Sequence, residues 1–146
     1  MTTTARNKGP LEFLQPQGWA PPKGYANGVA GAGRVVFVGG QIGWNAAQAF
    51  ETDAFVGQAR QALANVVAVL AEAGARPEHV ARMTWYVTDK REYLSCGKAL
   101  GSAYREIMGR HYPAMTAVEV SALIEERARV EIEATAVIPD DAPSVK

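Results

Sequence analysis

The amino-acid sequence predicts an α+β fold in which two helices cover one face of a single mixed sheet, in the order β-β-α-β-α-β-β. Two segments near the C-terminal end, residues 113–120 and 129–137, alternate their side chains with a period of two, as strands with unlike faces do. Two longer segments, residues 52–74 and 91–110, place apolar residues on one side only at helical spacing. Helices of this kind pack together on one face of a sheet.

The composition bounds the class of protein. A chain of 146 residues is long enough for one domain with a sizeable core. Its 15 basic and 15 acidic residues cancel, which gives no support for a nucleic-acid or anionic-membrane surface. The single cysteine, Cys96, excludes an internal disulfide and fits a reducing compartment. Residues 1–8 lack the apolar region of a secretory signal and no run approaches a membrane span, so we expect a soluble, cytoplasmic protein.

The first part of the chain is rich in Gly and Pro, and we expect residues 1–22 to form an irregular lead-in. It carries large apolar side chains, which predicts that it docks onto the domain or a neighbouring subunit; these are Leu11, Phe13, Leu14 and Trp19. The domain itself is expected to span residues 23–138. Residues 139–146 are predicted to form a polar, frayed tail.

Two strands are predicted next, at residues 25–30 and 34–38, joined by a Gly-Ala-Gly turn. The turn is favoured over a dinucleotide-binding loop, because the glycine spacing differs from that motif and a strand follows instead of a helix. Residues 35–38 are apolar without alternation, which predicts a strand covered on both faces, either in the centre of a sheet or at a subunit interface. Gly39 and Gly40 then allow the backbone to approach another group closely.

The first helix is predicted to begin at a cap formed by Thr52 or Asp53 and to end at Gly74. Its buried stripe is expected to comprise Phe55, Ala59, Leu63, Val66, Val67 and Leu70. A third strand, residues 79–88, should pack Ala81, Met83, Trp85 and Val87 against the helices. The stripe of the second helix is expected to comprise Tyr93, Leu100, Tyr104, Ile107 and Met108. A loop near residues 123–127 joins the two closing strands.

The face of the sheet opposite the helices is predicted to be half polar. It should carry Arg82, Thr84, Tyr86, Met115, Glu119, Glu131 and Glu133. A face of this kind is either exposed to water or pressed against another subunit. Periodicity alone favours a solvated outer face for Glu131 and Glu133, which share one side of the last strand.

The residues alone indicate no familiar catalytic motif. Two histidines far apart and one cysteine match no zinc or iron site, and no phosphate-binding loop is present, so we expect neither a metal nor a cofactor. His111 is interpreted as a satisfied or exposed histidine, and Cys96 as a small core residue. Composition and periodicity therefore indicate a soluble α+β domain, expected to be oligomeric, without naming its chemistry.

Five motifs in the right order resemble one known family over about residues 24–138. They are the Gly-Gly-Gln-Ile run at 39–42, the helix patterns at 58–66 and 72–75, the Pro-Ala and Val-Glu-Val pair at 113–114 and 118–120, and Glu-Ile-Glu-Ala at 131–134. The chain is identified as a member of the RidA/YjgF family, the reactive intermediate deaminases, also labelled L-PSP endoribonucleases.

The resemblance implies a chorismate-mutase-like α+β fold and a homotrimer whose sheets form an inner barrel, with three clefts between subunits. Members of the family hydrolyse enamines or imines to release ammonia without a cofactor. In that scheme a glutamate and a tyrosine position the water, and the matching residues are Glu131 and Tyr25. Backbone groups near Gly39 and Gln41 are implied to hold the substrate, and the substrate-binding set is completed by Trp44, Lys98, Met115 and Ala117.

The chain departs from the family at two of these positions. Gly39 stands where the family has a serine hydroxyl, and Met115 stands where it has an arginine that grips the substrate carboxylate. A thioether cannot replace a bidentate guanidinium, and losing such a contact costs about 2–5 kcal/mol of binding. The sequence therefore implies a substrate preference shifted from 2-iminoacids such as 2-aminoacrylate, with Lys98 or another cation as the anchor. Met115 and Trp44 suit an apolar or aromatic group.

Three functions follow from these residues. The first is a cofactor-independent hydrolase or deaminase that acts on a small enamine, imine or related metabolite in clefts between subunits. The second is a non-catalytic module that binds a metabolite in the same clefts. The third is RNA binding or cleavage, which zero net charge and the absence of a basic aromatic stretch disfavour.

Overall fold

The computed structural model of the chain describes residues 11–140, and the fold found there is α+β, as predicted. Its elements are β1 Glu12–Leu14, β2 Gly28–Ala30, β3 Arg34–Ile42, α1 Phe55–Glu72, β4 Val80–Val87, α2 Lys90–Ser95, α3 Gly97–Met108, β5 Ala114–Glu119 and β6 Val130–Ile138. A short 3-10 turn, Pro77–His79, leads into β4. Within these residues no helix combines the length and the apolar character needed to cross a bilayer.

The main sheet has four strands in the order β3-β6-β4-β5. Only the β4–β5 pair is parallel; β3–β6 and β4–β6 are antiparallel, so the sheet is mixed, as predicted. β3 is an edge strand, and the expectation that residues 35–38 lie in the centre of a sheet is wrong. Val35 and Phe37 are 48% and 78% exposed in the single chain. The alternative that this strand lies at a subunit interface stays a prediction.

The N-terminal segment differs from the predicted irregular lead-in. β1 lies inside it and pairs antiparallel with β2 in a separate two-stranded sheet. The strand predicted at residues 25–30 is therefore shorter and is not part of the main sheet. The hairpin still contacts that sheet, because Ala26 N donates to Pro113 O at 2.9 Å and Ala26 forms a bridge with Ala114. Residues 1–10 and most of the predicted tail lie outside the described residues.

The helices bury most of their predicted stripes, and the remaining members, Val67, Tyr93 and Ile107, are partly buried against the core. Leu63, Val66 and Leu70 of α1 are fully buried against strands that contribute Met83 and Ile132. α1 begins one or two residues later than predicted, with Ala54 at the N-cap position in place of Asp53 or Thr52. The Thr52 hydroxyl accepts from Ala54 N at 3.0 Å, and Asp53 pairs with Arg127 at 2.9 Å. Gly74 ends the helix with φ +76, the left-handed conformation expected of a glycine at this position.

The second predicted helix is interrupted at Cys96, which separates α2 from α3. Asp89 caps α2 by accepting from Arg91 N and Glu92 N at 2.9 and 3.3 Å. A bulge in β4 between Val80 and Arg82 makes Val80 the core residue in place of the predicted Ala81. A one-residue shift of this kind exchanges the faces of a strand locally.

Candidate functional site

Glu131 lies in β6, where it pairs with Ile42 of β3 on one side and Tyr86 of β4 on the other. Its side chain is half-buried and lies against the backbone of Gly40. A Cβ at Gly40 would lie 2.7 Å from the Glu131 carboxyl group, a distance that no side chain tolerates without movement. Gly40 is therefore the close-approach glycine that the sequence predicted, and its partner is the predicted catalytic carboxylate.

Glu133 has a different environment from Glu131. The Tyr86 hydroxyl donates to Glu133 Oε1 at 2.7 Å, and this hydrogen bond raises the pKa of Tyr86 above its ordinary value. Among residues 11–140 no comparable hydrogen bond engages the Glu131 carboxylate. The alternation of β6 thus presents two carboxylates on one face, one held by a tyrosine and the other available to a ligand or a water molecule.

A cavity of about 310 Å³ opens on this polar face of the sheet. It is lined by Phe37, Val38, Gly39, Arg82, Thr84, Glu133, Ala134 and Thr135. Gly39 lines it, and nothing lies within 4 Å of the position where a Cβ would be. Arg82 places a cation on the same face as the two glutamates.

Gln41 and Trp44 continue from β3 into the loop before α1. Gln41 Nε2 donates to Gly39 O at 3.1 Å, which stiffens the Gly39–Gln41 backbone. The Trp44 ring packs at 5.9 Å from the Phe50 ring and is half-buried, so the tryptophan packs within its own loop.

Tyr25, Met115 and Ala117 lie at the opposite edge of the sheet. Tyr25 is 43% exposed beside the N-terminal end of β5. Met115 pairs with Met83 and packs against the core, so it faces the helices. Its predicted place on the polar face is wrong, and so is that of Glu119, which pairs with Val87. β4 and β5 run parallel in register, and each β5 side chain shares the face of its β4 partner.

Lys98 is exposed in the first turn of α3, outside the sheet. The predicted site residues therefore form two groups. Gly39, Gln41, Trp44 and Glu131 lie on or beside β3 and β6, and Tyr25, Met115 and Ala117 lie on or beside β5. The edge strands β3 and β5 are separated by three strand spacings, or about 14 Å, so the single chain does not bring the two groups together.

Two buried or half-buried amides that hold the site loops were not recognised as functional from the sequence. Gln58 is fully buried; it donates to Thr52 O and Arg127 O at 3.1 and 2.9 Å and accepts from Arg129 N at 2.8 Å. Asn65 donates to Ile42 O and Trp44 O at 3.1 and 2.8 Å. Both lie on α1, seven residues apart. Residues seven apart share a face of a helix, so two amides at this spacing were the signal in the sequence that could have identified them.

Two arginines on the candidate surfaces were also not identified as site candidates from the sequence. They are Arg82, on the polar face of the sheet, and Arg110. Arg110 lies between α3 and β5 and lines a cavity with Tyr25. No group of three or more His, Cys, Asp or Glu side chains within residues 11–140 is arranged to hold a metal ion.

The fold and these residues define a class: α+β domains with helices on one side of a mixed sheet and candidate site residues along both sheet edges. The family model described as Endoribonuclease L-PSP matches residues 17–138. The chain belongs to this family, which includes the RidA/YjgF proteins.

Individual relatives agree with this assignment. The chain is 31% identical over 126 residues to a RutC family protein of Aquifex aeolicus, covering 86% of this chain and 98% of that protein. It is 31% identical over 105 residues to the 2-iminobutanoate/2-iminopropanoate deaminase of Capra hircus, covering 71% of this chain and 73% of that protein. A crystal structure of a Rid family protein of unknown function from Yersinia pestis superposes with a TM-score of 0.79 at 29% identity, covering 88% of this chain and 99% of that chain.

Proposed function

We propose that the protein is a cofactor-independent deaminase-like hydrolase that acts on a small imine or enamine in clefts between the subunits of a homotrimer. The observation that carries this proposal is the half-buried Glu131 carboxylate, held against Gly40 while its neighbour Glu133 is engaged by Tyr86. The similarity to a protein named as a 2-iminobutanoate/2-iminopropanoate deaminase supports the reaction class.

The separation of the candidate residues supports the trimer. Glu131 and Gly39 lie near one edge of the sheet, and Tyr25 lies beside the other, so a cleft that uses all three needs the β3 side of one subunit beside the β5 side of the next. The exposed Val35 and Phe37 of β3 supply apolar surface for such a contact. Within residues 11–140 the outer edge of β3 pairs with no other strand, and it offers backbone donors and acceptors that an assembled state would satisfy or cover.

In the proposed reaction Glu131 orients a water molecule and accepts one of its protons as the oxygen attacks the imine carbon. Glu131 passes this proton to the nitrogen, which gives a neutral carbinolamine. It then takes the hydroxyl proton and delivers it to the nitrogen as the C–N bond breaks, so that ammonia leaves and a carbonyl compound remains. Water is consumed and no electrons are transferred, so the step needs no redox cofactor. Tyr25, at the β5 side of the next subunit, assists in positioning the water.

The substrate preference is proposed to be shifted from short 2-iminoacids, because Met115 carries no charge and packs toward the helices. Gly39 and Met115 are the two positions at which the chain departs from the family pattern. These departures favour a second candidate function, a metabolite-binding module without turnover. RNA binding or cleavage is not proposed, since the net charge is zero.

The test generates 2-iminoacids in situ with an amino-acid oxidase and follows the rate of ammonia release. Wild-type protein is expected to accelerate release, and Glu131→Gln to reduce that acceleration by about 10²–10⁴-fold, the range for loss of a general base. Glu72→Gln, an exposed carboxylate at the end of α1, is the matched control and should behave as wild type.

Equal activity in Glu131→Gln and wild type would remove the carboxylate from the mechanism. Thermal stabilisation by a metabolite without any acceleration, across imines and enamines, would instead favour the binding module, since ligand binding stabilises by mass action alone.

A further inference from the structure

The cavity beside Tyr25 is built differently from the one beside Gly39. It encloses about 410 Å³ between the β1–β2 hairpin and residues 110–112, which connect α3 to β5. Its walls include Phe13, Leu14, Pro22, Tyr25 and Tyr112, and its polar edge carries Arg110. This volume falls in the range of small-molecule sites, and aromatic walls with a few polar groups are their usual composition.

The polar groups of the hairpin wall are already paired. Asn27 Nδ2 donates to Gln15 Oε1 at 2.8 Å, and Gln15 Nε2 donates to Trp19 O and Ala20 O at 3.3 and 3.2 Å. These bonds hold the amides within the hairpin itself. The hairpin wall therefore offers a ligand mainly apolar surface.

The opposite wall is rigid as well. His111 Nε2 carries the proton, because its partner at 2.6 Å is the carbonyl oxygen of Val80. The His111 ring packs edge-on against Phe13 at 5.9 Å, and Tyr112 stacks on Tyr104 at 5.4 Å. Both wall rings are thus fixed by contacts behind them.

Two polar side chains remain available. Among residues 11–140 neither the Arg110 guanidinium nor the Tyr25 hydroxyl has a hydrogen-bond or ion-pair partner, and no carboxylate lines the cavity. A cation and a hydroxyl at the edge of an aromatic pocket match a ligand with a carboxylate at one end and an apolar body.

We propose that Arg110 and Tyr25 bind the carboxylate of a small acid whose aromatic side chain occupies the pocket between Phe13, Leu14 and Tyr112. This inference rests on the proposed function, because it assigns to Arg110 the substrate-anchoring task that Met115 cannot perform. Lys98, the anchor expected from the sequence, does not line the cavity. An anchor at Arg110 selects acids with a bulky apolar side chain, since short 2-iminoacids leave the aromatic walls unfilled.

The test measures binding without turnover, by calorimetry on the full-length protein with three probes. They are 3-phenylpropanoate, its uncharged amide, and propanoate, which keeps the charge without the ring. Wild-type protein should bind 3-phenylpropanoate at least about tenfold more tightly than either comparator, the smallest factor expected for a charge-assisted hydrogen bond. Arg110→Gln should lose that advantage over the amide. Arg105→Gln, an exposed arginine of α3 outside the cavity, should retain it.

Equal affinity for the acid and the amide in wild type, or unchanged acid binding in Arg110→Gln, overturns the inference. If 3-phenylpropanoate does not bind but ammonia release still depends on Glu131, the Arg110 anchor is overturned and the proposed function stands. Arg110-dependent binding without any ammonia release supports the anchor and counts against the deaminase alone.

Discussion

Phe37 offers a direct test of the proposed assembly. It lies on the edge strand β3, faces away from the helices and is 78% exposed in the single chain. It lines the polar-face cavity together with Arg82 and Glu133. Val35, two residues away on the same face of β3, is 48% exposed, so the two side chains form an apolar patch of the kind that marks a subunit contact.

The magnitude follows from the exposed area. A phenylalanine side chain carries about 200 Å² of surface, so about 150 Å² remains to be covered by a partner. At about 25 cal/mol per Å², covering it contributes up to about 4 kcal/mol per subunit, which is nearly three decades in an association constant. Phe37→Ser removes most of this contribution and leaves the core residue Val38 in place.

Sedimentation velocity at micromolar concentration provides the assay. Wild-type protein is expected to sediment as a trimer and Phe37→Ser as a concentration-dependent mixture shifted toward monomer. Ile124→Ser is the control, because Ile124 is 98% exposed in the loop between β5 and β6 and lies outside the sheet. A monomeric wild type, or equal trimer stability in wild type and Phe37→Ser, would refute the reasoning.

Three further changes test the site and the core. Met115→Arg should not increase the hydrolysis rate of 2-iminopropanoate, because residue 115 faces the helices and the guanidinium is directed away from the polar face; a gain of about 30-fold, the effect of a carboxylate contact worth about 2 kcal/mol, would contradict that orientation. Gly40→Ala should lower ammonia release by displacing the Glu131 carboxyl group, whereas Gly97→Ala, which lies outside the site and whose added Cβ meets nothing within 4 Å, should behave as wild type; equal activities would exclude the close approach as a positioning device. Burial lowers the pKa of His79, whose Nδ1 accepts from Arg76 N at 2.9 Å, so the unfolded chain takes up a proton that the folded chain excludes. The free energy of unfolding should therefore fall as the pH drops below about 6.5, and the free energy measured by urea unfolding should depend less on pH in His79→Gln than in wild type. An equal pH dependence in the two proteins would contradict this account.

Local pattern was sufficient for most elements of the fold. The apolar stripe of α1 and its end at Gly74 were predicted because both depend on neighbours within a few residues along the chain. The bulge at Val80 and the break at Cys96 were not predicted. The bulge depends on pairing with β6, a distant segment of the chain. The break at Cys96 directly precedes Gly97, a helix-weakening residue that was the available local signal.

The polar face of the sheet was likewise predicted correctly in part. Arg82, Thr84 and Tyr86 were correctly placed opposite the helices, and Glu131 and Glu133 were correctly placed on one face of β6. Met115 and Glu119 were assigned to the wrong face, since period two fixes which residues of a strand share a side but not which side meets the helices. The parallel register between β4 and β5 decides that orientation.

The sequence by itself determined the family, through five short motifs in order, together with the α+β class, and it proposed Glu131 and Tyr25 as site candidates. Only the tertiary structure decided where these residues lie, because strand order and register depend on hydrogen bonds between segments far apart in the chain. It placed Glu131 against Gly40 and turned Met115 toward the core. It also brought Arg110 to the cavity that Tyr25 shares with the N-terminal hairpin, a juxtaposition of three segments that no local pattern encodes.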